Sequence, residues 1–415
     1  MAQHPFLKSI RPVNLLSFGP NTEEIELRPL NILIGPNGSG KSNFIEIIGL
    51  LSSLPNREPW SSVLKTSGAP EWIWKGKDKG NKLSSLAVTT TSEKTDIGQA
   101  FSGYVGEKSL FYSLQLREND GTFVVAKEHF REIDDDEDGV VAALGAFERD
   151  GSTGLIHTAG WPEDSPELVG NLSLGRSALS MLGNMANINM HQPRLREFAD
   201  SIEKIAVYND WVFGNESKIR NLQSSGLDSN RLAGDSINLA QVLKAMRDRG
   251  DQTVFENLIE LMRKFYEPVK DVDTELIGNY LRIMIKEDGL SSRTPASRLS
   301  DGTLRWLMLL IILLNPTPAP VTCIDEPELG LHPDIIPTLA DLLRDASTRT
   351  QLILTTHSTA LVDAFSDEPE AVCVCEKVEG STVIKRLDKE RLNVWLKDYS
   401  LGHLWASGEI GGNRW

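Results

Sequence analysis

Eight consecutive residues carry the clearest chemical pattern in this 415-residue chain: the stretch GPNGSGKS at positions 35–42. Its small residues allow successive backbone N–H groups to converge on an anion, and a helix that begins directly afterwards adds its partial positive charge. Lys41 can then reach the outer phosphates of a nucleotide, and the Ser42 hydroxyl can bind Mg²⁺. The spacing therefore predicts a phosphate-binding loop, or P-loop.

The segments on both sides of this loop support the same interpretation. Residues 30–34 are apolar and strand-like, and residues 43–54 are apolar over most of a helical circumference. An ordinary strand-to-helix turn is the alternative, and the complete order of strand, loop and helix disfavours it. We expect ATP to be bound by Asn37, Gly38, Ser39, Gly40, Lys41 and Ser42.

Two adjacent carboxylates end a second apolar segment, VTCIDE at residues 321–326. In a P-loop site one carboxylate completes the Mg²⁺ shell, and the next can orient and deprotonate the attacking water. We assign Asp325 to the metal and Glu326 to the water. A strand that ends in acidic residues is common, so this assignment depends on the P-loop in the same chain.

A histidine follows a third apolar segment, at the end of LILTT in residues 352–356. Ligands of open α/β sheets bind at the carboxyl ends of strands, so His357 is in a position to contact the γ-phosphate. A lone histidine is more often a structural residue, and the spacing alone leaves both roles open.

A helix start could provide a second phosphate-binding device. Ser300 occupies an N-cap position before the apolar residues 304–314, and Gly302 permits close backbone approach. An ordinary capped core helix explains the same pattern. If the start of this helix does bind phosphate, we expect it to contact the nucleotide of a second subunit, because the P-loop already binds the nucleotide of its own chain.

The composition limits the class of protein. The net charge of −15 argues against a broadly basic surface for nucleic acid. Cys323, Cys373 and Cys375 contain no C-x-x-C pair, so we expect neither a disulfide framework nor a zinc site. The longest apolar run is far shorter than a bilayer requires and no signal peptide is evident, so we expect a cytoplasmic protein without a membrane partner.

Apolar periodicity predicts the remaining elements. Residues 6–18 and 24–33 are expected to form two antiparallel strands, and residues 151–175 a long irregular connection. Further strands are expected at 83–91, 109–117, 122–126 and 281–285, and helices at 194–207, 236–247 and 254–266. No heptad pattern continues long enough for a coiled coil.

Four ordered motifs, GPNGSGKS, SRLSDGT, CIDEPELGLHP and TTHS, resemble the Walker A, signature, Walker B with D-loop, and H-loop motifs of ABC-class ATPases. The chain is similar to the SMC, RecF and OLD-like group, and within it to bacterial ATPases of the AAA-21 type. The resemblance runs nearly end to end but is loose over residues 55–297. It implies an α/β P-loop NTPase, with an ABC-type ATPase head, a mixed sheet, an inserted helical or irregular region and no long coiled coil.

The resemblance also has departures. Asp301 stands where transporters have a second glycine, as in SMC-like proteins. No clear motif marks the glutamine that such ATPases add to the metal, and we assign Gln115 to it. Because little sequence follows His357, we expect the chain to lack the Toprim nuclease domain of OLD-type proteins.

The resemblance implies a domain plan and a function. The plan is an ATPase N-lobe at 1–54, strands and an inserted helical region at 55–296, and a C-lobe at 297–415. The function is a Mg²⁺-dependent ATPase switch that sandwiches ATP in a homodimer and regulates a separate effector, nuclease or toxin-like, in DNA maintenance or anti-phage defence. The alternatives are a RecF-type DNA clamp that ATP locks and, less favoured, a transporter's nucleotide-binding subunit.

Overall fold

The computed structural model describes residues 5–60, 68–76, 83–91, 108–134, 145–158, 167–169, 172–184, 193–209, 211–214, 217–249 and 252–412. The strands in these residues are β1 (Leu7–Val13), β2 (Ile25–Glu26), β3 (Leu30–Ile34), β4 (Leu83–Thr91), β5 (Lys108–Asn119), β6 (Thr122–Asp134), β7 (Gly145–Asp150), β8 (Thr153–Thr158), β9 (Glu167–Val169), β10 (Ala206–Tyr208), β11 (Gln223–Ser224), β12 (Val269–Ile277), β13 (Tyr280–Glu287), β14 (Thr294–Pro295), β15 (Val321–Asp325), β16 (Gln351–Thr355), β17 (Val372–Val378) and β18 (Ser381–Arg386). The α-helices are α1 (Lys41–Ser53), α2 (Pro193–Glu203), α3 (Leu239–Arg249), α4 (Gln252–Phe265), α5 (Asp301–Leu313), α6 (Ile336–Ser347), α7 (Thr359–Asp363), α8 (Lys389–Leu392) and α9 (Leu401–Ser407).

The chain divides into two compact units. Unit 1 comprises Met1–Ile205, Cys373–Arg386 and Gly411–Trp415, and unit 2 comprises Ala206–Val372 and Leu387–Ile410. The three-part plan expected from the motifs rests on their positions in the sequence and stays a prediction.

Unit 1 contains an eight-stranded antiparallel sheet in the order β2-β1-β4-β5-β6-β7-β8-β9. Buried and half-buried residues alternate along β4, as expected for a strand with one face on a core. The expected irregular connection at 151–175 is wrong in part, since β8 and β9 lie in it and extend the sheet. Glycine, serine and proline there resemble loop composition, and only the pairing of β8 with β7 and of β9 with β8 distinguishes these strands from a loop.

The expected strand at 24–33 is two strands. β2 pairs with β1, whereas β3 neighbours β17. Pro29 follows Arg28 between them, and the Asn31 side chain accepts the Arg28 N–H at 2.9 Å. This local turn interrupts the ladder, and it leaves β3 as a fully buried strand directly before the P-loop.

Unit 2 contains three parallel strands in the order β10-β15-β16. Helix α5 belongs to the same unit and is buried from Thr303 to Leu313, where apolar side chains surround almost its whole circumference. The Trp306 indole N–H donates to the Leu261 carbonyl at 2.9 Å, which joins α5 to α4. A second, antiparallel group consists of β11, β13 and β12, with β14 also paired to β13.

The fold is therefore α/β with both parallel and antiparallel pairing. The longest helix that the structure describes has 14 residues, so the described part of the chain contains no long coiled coil. None of these helices is both long and apolar enough to cross a membrane.

Candidate nucleotide site

The P-loop in unit 1 depends on glycine at two crowded positions. Gly35 and Gly40 have φ of 147° and 104°, values that residues other than glycine rarely adopt. A Cβ atom at Gly35 would lie 2.3 Å from the Cys375 carbonyl oxygen, and one at Gly40 would lie 2.1 Å from Thr382 Oγ1. The β17–β18 hairpin thus lies directly against the loop, and only glycine allows this close approach.

The loop has hydrogen-bonding groups that suit phosphate. No side chain caps α1 after Gly40, and its first turn contains no acidic residue. The Ser39 hydroxyl is buried and has no hydrogen-bond partner among the described residues. Lys41 is 6% exposed and donates to the carbonyls of Gly35 at 2.8 Å and Pro36 at 3.3 Å. These donors fit the β- and γ-phosphate oxygens of ATP.

The other expected P-loop residues lie at its surface. Asn37 and Gly38 are exposed at the tip, and Ser42 is exposed on the first turn of α1. Thr382 is a contact that sequence reasoning missed. Its Oγ1 lies 2.8 Å from the Ser39 carbonyl oxygen and 2.7 Å from Ser17 Oγ, so the β17–β18 hairpin fixes the loop backbone.

In unit 2, the ends of β15 and β16 bring three expected residues together. Since the two strands are parallel and in register, Asp325 lies opposite Thr355, and Glu326 and His357 follow at the same edge. The Thr355 hydroxyl donates to Asp325 Oδ1. His357 Nε2 lies 3.6 Å from Glu326 Oε1. A carboxylate, a second carboxylate and an imidazole thus share the edge where α/β sheets bind ligands.

The backbone of Glu326 is in the left-handed region, with φ of 47°. Such a conformation costs a non-glycine residue of order 1 kcal/mol and persists where the surroundings determine it. The Glu326 N–H donates to Thr355 Oγ1 at 3.1 Å. Its carbonyl accepts from Arg305 Nη2 at 2.8 Å. Both sides of the residue are therefore fixed by side chains.

Sequence reasoning missed Arg305, although a lone arginine in the apolar helix α5 was a visible signal. Its guanidinium carbon lies 4.8 Å from the centroid of the Trp211 ring and 5.3 Å from that of Phe213. Burial lowers the pKa of Arg305, while the carboxylates of Glu328, Glu326 and Asp325 act in the opposite direction.

Glu328 is a second residue that the motifs did not single out by role. Its Oε1 accepts from the Thr356 hydroxyl at 2.7 Å and from the His357 N–H at 3.0 Å. The segment after β15 therefore holds the segment after β16, which orients the histidine.

The signature residues lie at the start of α5. Ser300 caps the helix and accepts the Thr303 N–H at 3.1 Å. A Cβ atom at Gly302 would lie 3.1 Å from the Gly330 carbonyl oxygen, so glycine there permits close packing against the loop that follows β15. Asp301 accepts from Arg220 and from the Gly214 N–H. These hydrogen bonds, that of Arg220 first, lower the pKa of Asp301.

Gln115 lies in the interior of β5, opposite Ser85 and Lys127. Its assignment to the metal stays a prediction. The described residues contain no group of three or more His, Cys, Asp or Glu that could hold a metal by itself. Mg²⁺ in nucleotide sites is usually bound by one or two protein oxygens together with phosphate, so the expected site does not require such a group.

Comparisons with known proteins agree with this fold. The crystal structure described as "SmcHead bound to the C-winged helix domain of ScpA" has a TM-score of 0.55 and 15% identity, over 93% of this chain and 99% of that chain. The Smc head domain with an extended coiled coil, bound to the C-terminal domain of ScpA and derived from Pyrococcus furiosus, has a TM-score of 0.51 and 15% identity, over 95% and 99% of the two chains. At this identity the likeness concerns the fold, and it confirms the expected head-like α/β architecture.

The sequence also matches a family model, AAA_21, described as "AAA domain, putative AbiEii toxin, Type IV TA system", over residues 30–150 and 155–363. No curated protein matches the sequence significantly.

Proposed function

The chain belongs to the AAA_21 family, and from this premise we propose that it is an ATP-hydrolysing molecular switch that works as a dimer. The observation that carries the proposal is the cluster of Asp325, Glu326 and His357 at the carboxyl ends of two parallel strands. That these residues and the P-loop serve one nucleotide follows from the order of the motifs in the sequence.

Each group has a distinct role in this proposal. Lys41 and the N–H groups at the start of α1 bind the phosphates, and Ser42 and Asp325 bind Mg²⁺, which neutralises charge that develops on the phosphoryl group. Glu326 orients the attacking water and accepts its proton. His357 contacts the γ-phosphate from the same edge.

The dimer is the second part of the proposal. The N–H groups at the start of α5, next to Ser300, would face the γ-phosphate bound by a second copy of the chain. Hydrolysis would then release the two copies, which converts the nucleotide state into an oligomeric state.

We further propose that a separate effector, nuclease or toxin-like, reads this state in anti-phage defence or DNA maintenance. The family description, which names the AbiEii toxin and a type IV toxin–antitoxin system, supports the defence setting. Three buried free cysteines are compatible with a reducing cytoplasm.

Phosphate release from MgATP by the purified chain tests the proposal. We expect slow turnover by the wild-type chain and loss of turnover in Glu326→Gln with MgATP binding retained, because the amide keeps the shape of the side chain but cannot accept the proton. Hydrolysis at the wild-type rate by Glu326→Gln would refute the assignment of the base.

A further inference from the structure

Arg305 connects helix α5, at whose start the signature residues lie, to the backbone of Glu326. We propose that Arg305, held over the Trp211 and Phe213 rings, is a positioning residue that fixes the conformation in which Glu326 acts. This inference rests on the proposed ATPase function and adds a residue that the ordered motifs do not contain.

The guanidinium of Arg305 is buried against two aromatic rings. Arg305 is 5% exposed and packs on both aromatic rings, which are themselves stacked at 6.1 Å with an interplanar angle of 12°. A planar guanidinium on aromatic faces loses its freedom to rotate, so its N–H groups have fixed directions. One of them donates to the Glu326 carbonyl at 2.8 Å.

The hydrogen bond from Arg305 holds the strained backbone of Glu326. Without the bond from Arg305, Glu326 can leave the left-handed region for one of the favoured conformations of a residue with a side chain. The direction of a side chain depends on its backbone φ and ψ, so this change would redirect the carboxylate away from His357.

The same aromatic cluster also holds the preceding residue. The Trp211 indole N–H donates to the Asp325 carbonyl at 2.9 Å. Two consecutive carbonyls, those of the expected metal ligand and the expected base, are therefore held by one cluster of three side chains. This arrangement limits the rotation of both peptide planes.

Arg305 lies near the start of α5. It lies about one helical turn after Asp301. Asp301 accepts hydrogen bonds from Arg220 and from the N–H of Gly214, the residue that follows Phe213. A movement of the start of α5, where Ser300 is expected to meet the nucleotide of a second copy, would therefore reach Glu326 through a short and rigid path.

An arginine placed here only for stability would be poorly satisfied. Its Nε is buried and has no hydrogen-bond partner among the described residues. A buried donor without an acceptor costs about 1–3 kcal/mol. The hydrogen bond to Glu326 explains why a charged side chain occupies an otherwise apolar helix.

The test compares Arg305→Met with Arg344→Met, a matched control. Arg344 also belongs to unit 2, lies over the Phe365 ring at 4.5 Å and donates to the Ala364 carbonyl, but it touches none of the motifs. Arg305→Met should lower kcat about 10- to 100-fold, because a displacement of about 1 Å at a reacting group has an effect of this size. The Kd for MgATP should stay within about threefold of wild type, and Arg344→Met should keep the wild-type kcat.

A conservative variant separates positioning from packing. Arg305→Lys can still donate to the Glu326 carbonyl and should recover part of kcat, whereas Arg305→Met cannot. If Arg305→Met does not fold, Trp211→Leu removes one of the stacked rings from a half-buried position and should lower kcat in the same direction. A folded Arg305→Met with wild-type kcat would overturn the inference.

Hydrogen exchange of residues 321–331 provides a readout that does not need hydrolysis. Exchange should be faster in Arg305→Met than in wild type and unchanged in Arg344→Met. If the wild-type chain binds MgATP but releases no phosphate, the proposed function fails, and this exchange alone decides whether Arg305 positions Glu326. Unchanged exchange would then reject the positioning role.

Discussion

Nε2 of His357 lies 3.6 Å from Oε1 of Glu326, and both side chains are a little more than one-third exposed. The two residues follow adjacent parallel strands, so register of the strands sets the distance between them. Neither is buried enough to be fixed by packing alone. Both side chains therefore remain accessible to solvent.

This arrangement predicts that His357→Ala lowers kcat more than it lowers ATP affinity. A side chain that contacts the transferred phosphoryl group typically contributes 10²- to 10³-fold to kcat when its loss removes a stabilising donor, so we expect a loss of roughly this size. His403→Ala is the control, because His403 of α9 is exposed and stacks on Tyr399, which precedes that helix. Steady-state phosphate release measures both; equal kcat in the two variants would remove His357 from the site.

Lys41→Ala should abolish nucleotide binding. The buried ammonium is the cation expected to meet the outer phosphates, and the remaining backbone donors are neutral. Lys75→Ala, at an exposed lysine paired with Glu71 in the same unit, should bind MgATP like wild type. Calorimetric titration with MgATP measures both affinities, and wild-type binding by Lys41→Ala would show that the P-loop assignment is wrong.

Mixed subunits test whether the signature serves a second copy of the chain. Ser300→Arg should block the dimer while leaving ATP binding by the monomer intact, because the new side chain fills the start of α5. Neither Lys41→Ala nor Ser300→Arg should hydrolyse ATP alone, yet a mixture can assemble one intact composite site. Recovery of phosphate release on mixing is the expected result; its absence, when sedimentation shows that mixed dimers form, would contradict the composite site.

The core of unit 1 contains an ion pair whose loss should destabilise the fold. Glu128 and Arg149 side chains are both 0% exposed, and Nη1 of Arg149 lies 3.5 Å from Oε2 of Glu128. Arg149 also donates to the carbonyls of Gly151, Ser173 and Arg176 at distances of 2.6–2.7 Å. Removal of one partner leaves the other charge buried and unpaired, so Arg149→Met should cost about 3–5 kcal/mol of unfolding free energy.

Urea unfolding measures this cost. The matched control is Arg131→Met, which removes an exposed arginine of β6 that lies over the Phe111 ring and should cost about 1 kcal/mol or less. Equal stability of the two variants would mean that the buried network contributes little.

We also predict that the chain alone does not cleave DNA. Beyond the nucleotide residues, the described part of the chain contains no metal-binding group of three or more His, Cys, Asp or Glu. Because the proposed effector is a separate protein, incubation with plasmid, linear and single-stranded DNA under ATP and Mg²⁺ should leave the substrates intact. Cleavage that a mutation outside the ATP motifs abolishes would contradict the proposal of a separate effector.

The tail is one place where the sequence left two roles open. Trp395, Trp405 and Trp415 could form a surface for a partner or pack against the chain's own core. Trp405 is 7% exposed in α9 and Trp395 is 46% exposed, while Trp415 lies outside the described residues. Burial differs between neighbouring tryptophans because it depends on what packs against each one, which composition does not encode.

Local pattern was sufficient for the elements that carry the site. The helix expected at 43–54 is α1, the Ser300 cap forms, and the strand ends expected before Glu326 and His357 lie where the apolar runs stop. These features depend on neighbours within a few residues, so helix periodicity, capping and short apolar runs predict them.

Tertiary structure decided which side chains support those elements. Thr382 reaches the Ser39 carbonyl across 343 positions, and Trp211 reaches the Asp325 carbonyl across 114. Arg305 likewise holds Glu326 by its carbonyl. Every residue offers the same carbonyl oxygen, so such hydrogen bonds leave no pattern at the accepting position. The sequence therefore predicted the residues that we propose act on a nucleotide, and only the folded chain determined which distant side chains fix their backbone.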